Sequence, residues 1–68
     1  MLYSLSYESR GGTERRMFYA QDEEEARQIV RTYSESKNIP LEEIRLKTHP
    51  KGFHAGYRFY SPEEREKA

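Results

Sequence analysis

The chain has 68 residues and a mass of 8.2 kDa, enough for one domain around one small core. Twelve Lys and Arg balance twelve Asp and Glu to a formal net charge of +0, and only 34% of residues are hydrophobic, so six tyrosines must supply much of the buried area. The absence of cysteine excludes disulfide frameworks, thiolate nucleophiles and cysteine-ligated zinc or iron–sulfur sites. No apolar run approaches the roughly 18 to 20 residues of a membrane span, and the opening residues lack a signal-peptide pattern, so no membrane partner and a cytoplasmic location are expected.

Residues 2–8 alternate with period two, placing Tyr3, Leu5 and Tyr7 on one face and Ser4, Ser6 and Glu8 on the other. Ser9-Arg10-Gly11-Gly12-Thr13 reads as a hairpin turn, because adjacent glycines admit positive φ. A second strand over 14–20 follows. Either Met17 and Tyr19 or Phe18 and Ala20 face inward, and four apolar residues in a row predict partial cover on both faces.

A helix is predicted over 22–37. Asp22 and Glu25 have capping-box spacing, and Glu23 and Glu24 suit the positive end of the helix dipole. Ala26, Ile29, Val30 and Tyr33 form one apolar stripe. Glu24 with Arg27, and Arg31 with Glu35, are spaced for surface ion pairs. Asn38-Ile39-Pro40 ends the helix: Asn tolerates the left-handed position, Ile39 folds back onto the last turn, and Pro40 cannot continue it.

After a short turn at 41–43, a third strand over 43–49 sets Ile44, Leu46 and Thr48 against Glu43, Arg45 and Lys47. Pro50-Lys51-Gly52 marks a tight reversal. A fourth strand over 53–60 would turn Phe53, Ala55, Tyr57 and Phe59 inward and His54, Gly56, Arg58 and Tyr60 outward. A four-residue hairpin loop pairs Ile44 with Phe59, Leu46 with Tyr57 and Arg45 with Arg58, whereas a two-residue loop pairs Glu43 with Arg58. The four-residue loop is slightly favoured because it leaves Pro50 outside the ladder. From Ser61 a cap, Pro62 and two glutamates predict a short, frayed C-terminal helical stub.

The order β-β-α-β-β predicts a single α+β domain over residues 1–68, with a four-stranded, mostly antiparallel sheet and one helix packed on one face. Strand orders 2-1-3-4, all antiparallel, and 1-2-3-4 both satisfy the pattern. The β-β-α opening, an aromatic strand running into Asp22-Glu23-Glu24-Glu25-Ala26, resembles the small arm domains of tyrosine recombinases over about half of the chain. Those domains present a sheet to DNA. The likeness concerns the order of elements, and no function is carried across it.

A neutral total hides a separation of charge. Between Ile44 and Tyr60 lie four Lys or Arg and no acid, whereas Asp22 to Lys37 holds five acids and three bases. With the helix on one face, the open face would carry Glu43, Arg45, Lys47, His49, His54, Arg58 and Tyr60, of which Arg45, Lys47, His54, Arg58 and Tyr60 stand out, with Lys51 at the hairpin tip. These six residues are the candidate interaction surface. They suit a small non-enzymatic binding or accessory protein that meets a protein partner, or itself as a homodimer, through the sheet. The alternative is nucleic-acid binding, with Arg45, Lys47 and Arg58 on phosphates and Tyr60 stacking on a base. No catalytic residues, cofactor or metal are expected. His49 and His54 are the only imidazoles, no carboxylate is suitably offset from them, and a core this small encloses little.

Overall fold

The computed structural model describes residues 1–53 and 55–60. Strand β1 (Leu2–Ser9) and strand β2 (Gly12–Tyr19) pair antiparallel, from Leu2 opposite Tyr19 to Ser9 opposite Gly12. The reversal falls at Arg10-Gly11 and ends on Gly12, whose φ of 116° would strain any residue with a Cβ. Ser9 Oγ donates to the Gly12 carbonyl at 2.9 Å, and the Thr13 hydroxyl donates to the Glu8 carboxylate at 2.7 Å.

Helix α1 (Glu23–Lys37) starts and stops on the residues its sequence marks out. Asp22 Oδ1 accepts from the Glu25 amide at 2.9 Å, and Glu25 reaches back to the Gln21 amide at 3.0 Å. At the other end Asn38 is left-handed (φ 57°), and the Ile39 amide donates to the Ser34 carbonyl at 2.9 Å. Ala26, Val30 and Tyr33 are buried against Tyr3, Leu5, Phe18 and Ala20 of the sheet, with Ile29 packed at the margin. Arg27 pairs on its surface with Glu23, one turn earlier, at 2.6 Å, and not with Glu24 as its spacing suggested.

A 3-10 turn over Leu41–Glu43 leads into β3 (Arg45–Thr48), and β4 is only two residues, Arg58–Phe59. The sheet is four-stranded and mixed, in the order β3-β1-β2-β4. β3 pairs antiparallel with β1, Leu46 opposite Leu5 and Lys47 opposite Ser4. β4 pairs parallel with β2, Arg58 beside Arg16 and Phe59 beside Met17. Neither expected strand order occurs, and strands three and four form no hairpin, so both proposed registers fall. The turn after Thr48 is present, with the Gly52 amide donating to the His49 carbonyl at 3.1 Å, but it sends the chain across the sheet instead of back along β3.

Uncovered apolar surface explains the crossing. Side chains of β1 and β2 that point away from the helix include Leu2 and Met17, and both are buried. A hairpin at the β3 edge would have left them to water. His49 and Tyr57 instead stand on that face. His49 Nε2 lies 2.7 Å from Ser4 Oγ, the His49 and Tyr57 rings meet at 5.3 Å, and the Arg15 guanidinium sits 5.5 Å from the Tyr57 ring centre. Burying an aliphatic side chain is worth about 1.5–3 kcal/mol, so two such residues outweigh a few ladder hydrogen bonds of about 1 kcal/mol each. The run Met17-Phe18-Tyr19-Ala20 is thus partly covered on both faces: Phe18 and Ala20 pack toward the helix, Met17 is buried on the other side, and Tyr19 beside it stays exposed.

The two crossovers also agree in hand. The β2-to-β3 connection carries α1 on one face, and the β3-to-β4 connection, which runs the other way across the strand order, places His49 and Tyr57 on the opposite face. Reversing direction and face together preserves handedness, as the single-handed preference of such connections requires.

Pairing with β2 sets the parity of the last segment. The Tyr60 amide donates to the Met17 carbonyl at 2.7 Å, and the Tyr60 ring packs edge-on against Tyr33, centroids 5.0 Å apart. Tyr60 is therefore 1% exposed, while Phe53 and Phe59, expected inward, are 60% and 39% exposed. The predicted alternation is reversed, because a one-residue change of parity exchanges the two faces. The C-terminal stub expected from Ser61 lies outside the described residues.

Candidate functional site

The six residues of the expected interaction surface do not share one. Arg45 and Lys47 remain together, exposed on β3, and their partners Ser6 and Ser4 place them on the side away from α1. Lys51 is exposed in the crossover. Arg58 is exposed at the opposite edge of the sheet, on the helix side beside Arg16. Tyr60 is in the core, and no partner can reach its ring without opening the domain. His54 lies outside the described residues. The flat open face assumed for this surface is itself occupied by the crossover.

What stays open is the edge of β3. Its hydrogen-bond polarity follows from two contacts. The His49 amide donates to the Leu2 carbonyl at 2.9 Å, and Leu2 is next in register after Tyr3 opposite Thr48. Alternation then turns the amides and carbonyls of Arg45 and Lys47 toward β1, and those of Leu46 and Thr48 outward. The far side of β1 agrees, since Met1 and Ala20 exchange hydrogen bonds at 2.8 and 3.0 Å and thereby direct the odd-numbered residues of β1 to β2. Among the described residues, no strand pairs with the outer side of β3.

Beside this edge, between β3 and α1, runs an open groove of about 630 Å³. Its apolar walls come from Val30 of the helix, Leu41 of the 3-10 turn, and Ile44 and Leu46. Leu41 is 42% exposed and Ile44 and Leu46 are half-buried, so the helix does not reach far enough to close over β3. The rim is charged. Arg27 and Arg31 stand on the helix side, where the one carboxylate, Glu23, is held by Arg27, and the strand edge at Lys47, whose side chain belongs to the other face, borders the groove opposite them. Around the whole edge the four cations Arg27, Arg31, Arg45 and Lys47 meet four acids, Glu23 here and three in the neighbouring depression. A smaller depression of about 290 Å³ at the start of β3 carries Glu8, Glu42 and Glu43 beside Arg45.

Arg27, Arg31 and Leu41 were not among the six residues of the expected interaction surface. The two arginines lie off the apolar stripe of the helix and read as ordinary solvated positions. Only the position of β3 against β1 brings them to a groove. The signal that existed was Leu41, an apolar residue between Pro40 and two glutamates with no place on any predicted core face.

Among the described residues, no group of three or more His, Asp or Glu side chains converges as metal ligands. His49 is engaged with Ser4 and Tyr57 in the crossover. No helix among the described residues is long and apolar enough to cross a membrane. The chain matches no protein-family model, no curated protein and no solved structure.

Proposed function

We propose that this chain is a non-enzymatic protein-interaction module, acting as a small accessory protein, whose contact region is the open edge of β3 with the groove between β3 and α1. One observation carries the reading: a strand edge with outward backbone donors and acceptors lies along an apolar groove with a basic rim. Exposed edges of this kind recruit extended peptides, the backbone supplying affinity and neighbouring pockets selecting side chains. The groove offers apolar grip, and its one carboxylate is already paired with Arg27.

Nothing comparable favours nucleic acid. Tyr60 is buried, and Arg58 stands an entire sheet width from Arg45 and Lys47. Stacking and phosphate contacts would have no common surface.

Selection of binders from a random peptide library, mapped by amide chemical shifts of the labelled protein, tests the proposal. Recovered peptides are expected to shift β3 and residues 27–31 of α1. Peptides that map instead to the crossover, or a library that yields no binder at β3, would overturn it.

A further inference from the structure

Resting on that reading of the β3 edge, we infer that the partner is an extended protein segment that adds to β3 as a fifth strand, with acidic side chains on one face and apolar ones on the other. Both halves of this description follow from the sheet. A strand laid along β3 would bond to the outward amides and carbonyls of Leu46 and Thr48. Residues opposite each other in neighbouring strands share a face. Side chains of the new strand opposite Leu46 and Thr48 would therefore enter the groove, against Val30 and Leu41 and below Arg27 and Arg31. Those opposite Arg45 and Lys47 would emerge on the other face, directly across from these two exposed cations, while Glu8, Glu42 and Glu43 lie in the depression at the Arg45 end of the strand. Acidic side chains at those two positions would form cross-strand ion pairs with Arg45 and Lys47.

The same cations argue against a second copy. Two β3 edges related by a two-fold axis keep apolar residues on a common face in registers centred within Arg45–Lys47, and each of these opposes like charges. Leu46 meeting Leu46 of the other copy sets Arg45 against Lys47 twice; shifts either way set Lys47 against Lys47 or Arg45 against Arg45. Like charges directly opposed are destabilising, and inward-facing cations on an edge are a recognised protection against self-pairing. A nucleic acid lacks the alternating donors and acceptors that the edge offers and has no apolar side chains for the groove.

The test uses the full-length labelled protein at low salt with acetyl-Val-Glu-Val-Glu-Val-Glu-amide, its counterpart with Lys in place of Glu, and a single-stranded oligonucleotide. The Glu peptide is expected to give saturable shifts at the Leu46 and Thr48 amides and to slow their exchange, with affinity at least about tenfold above the Lys peptide. Arg45→Glu combined with Lys47→Glu should invert that preference. Thr48→Pro removes one outward donor without touching the ladder to β1 and should abolish binding. Should that variant not fold, a Glu peptide N-methylated at its edge-facing amides replaces it and must fail to bind the wild-type chain. Equal or better binding of the Lys peptide at β3 would overturn the acidic partner and leave the interaction module standing. The same holds if library peptides bind β3 and the Glu peptide does not. No β3 binder from either source would overturn the reading beneath it as well. Oligonucleotide shifts at β3, or concentration-dependent shifts of the protein alone, would replace the inferred partner with nucleic acid or a second copy.

Discussion

Replacing Tyr60 by alanine separates the two placements of strand four. On an outward-facing strand the change would be a surface substitution, worth about 0.5 kcal/mol or less. In the observed fold the side chain is 1% exposed and its ring stands at 86° to that of Tyr33, 5.0 Å between centres. Truncating a buried aromatic of this size costs about 3–5 kcal/mol, which already includes the edge-to-face contact. The whole domain of 68 residues has roughly 3–10 kcal/mol to lose. Tyr60→Ala should therefore be unfolded in a large fraction at 25 °C, or melt at least about 12 °C below the parent. Urea unfolding followed by far-UV circular dichroism gives the free energy, and near-UV tyrosine signals report the loss of packing around Tyr33. Arg58→Ala, two residues away and exposed, is the control and should change stability by less than about 0.5 kcal/mol. A Tyr60→Ala variant within about 1 kcal/mol of the parent, with an unchanged urea slope, would refute the parallel pairing of β4 and the core that depends on it.

Further expectations concern the crossover and the helix ends. A double-mutant cycle of Ser4→Ala and His49→Ala should give a coupling of about 1 kcal/mol in urea unfolding, since the pair is 2.7 Å apart and Ser4 is buried; additivity would mean that the crossover is not fastened there. Asn38→Gly should leave the melting temperature unchanged or raise it, while Asn38→Ala should lower stability by about 1 kcal/mol, because φ is 57°. Asp22→Ala removes the acceptor for the Glu25 amide and should cost about 1 kcal/mol, read in the same thermal melts.

Local signals account for the parts of the fold that sequence revealed. The first hairpin rests on alternation and Gly12, and α1 rests on Asp22, Glu25 and Asn38, all of which act within a few residues of themselves. The stripe Ala26, Val30 and Tyr33 needed only helical periodicity. The second half fails where the deciding contacts are remote. Nothing between Thr48 and Tyr60 states that Leu2 and Met17 need cover, and nothing in the alternation of Arg58, Phe59 and Tyr60 states which edge of the sheet will fix its parity. Clustered cations between Ile44 and Tyr60 suggested a single basic surface, but proximity in sequence did not survive a crossover that carries Arg58 to the far edge. Arg45 and Lys47 stayed together because one strand holds both.

Covering both faces of the sheet leaves its edges as the places where backbone can still meet a partner, and the two edges are unequal. β4 is two residues long and ends on exposed Phe59, whose ring centre lies 5.5 Å from that of exposed Tyr19. β3 is four residues long and borders the groove. If its outer side is open, hydrogen exchange at neutral pH must alternate along one short strand. The amides of Arg45 and Lys47 point to β1 and should be protected, while those of Leu46 and Thr48 point outward and should exchange at nearly unprotected rates. The partner of His49, the Leu2 carbonyl, makes the His49 amide protected as well. Four even levels of protection from Arg45 to Thr48 in the free protein would mean that something already covers the edge. The alternating pattern, flattened only when a peptide is added, identifies the strand as the receiving element.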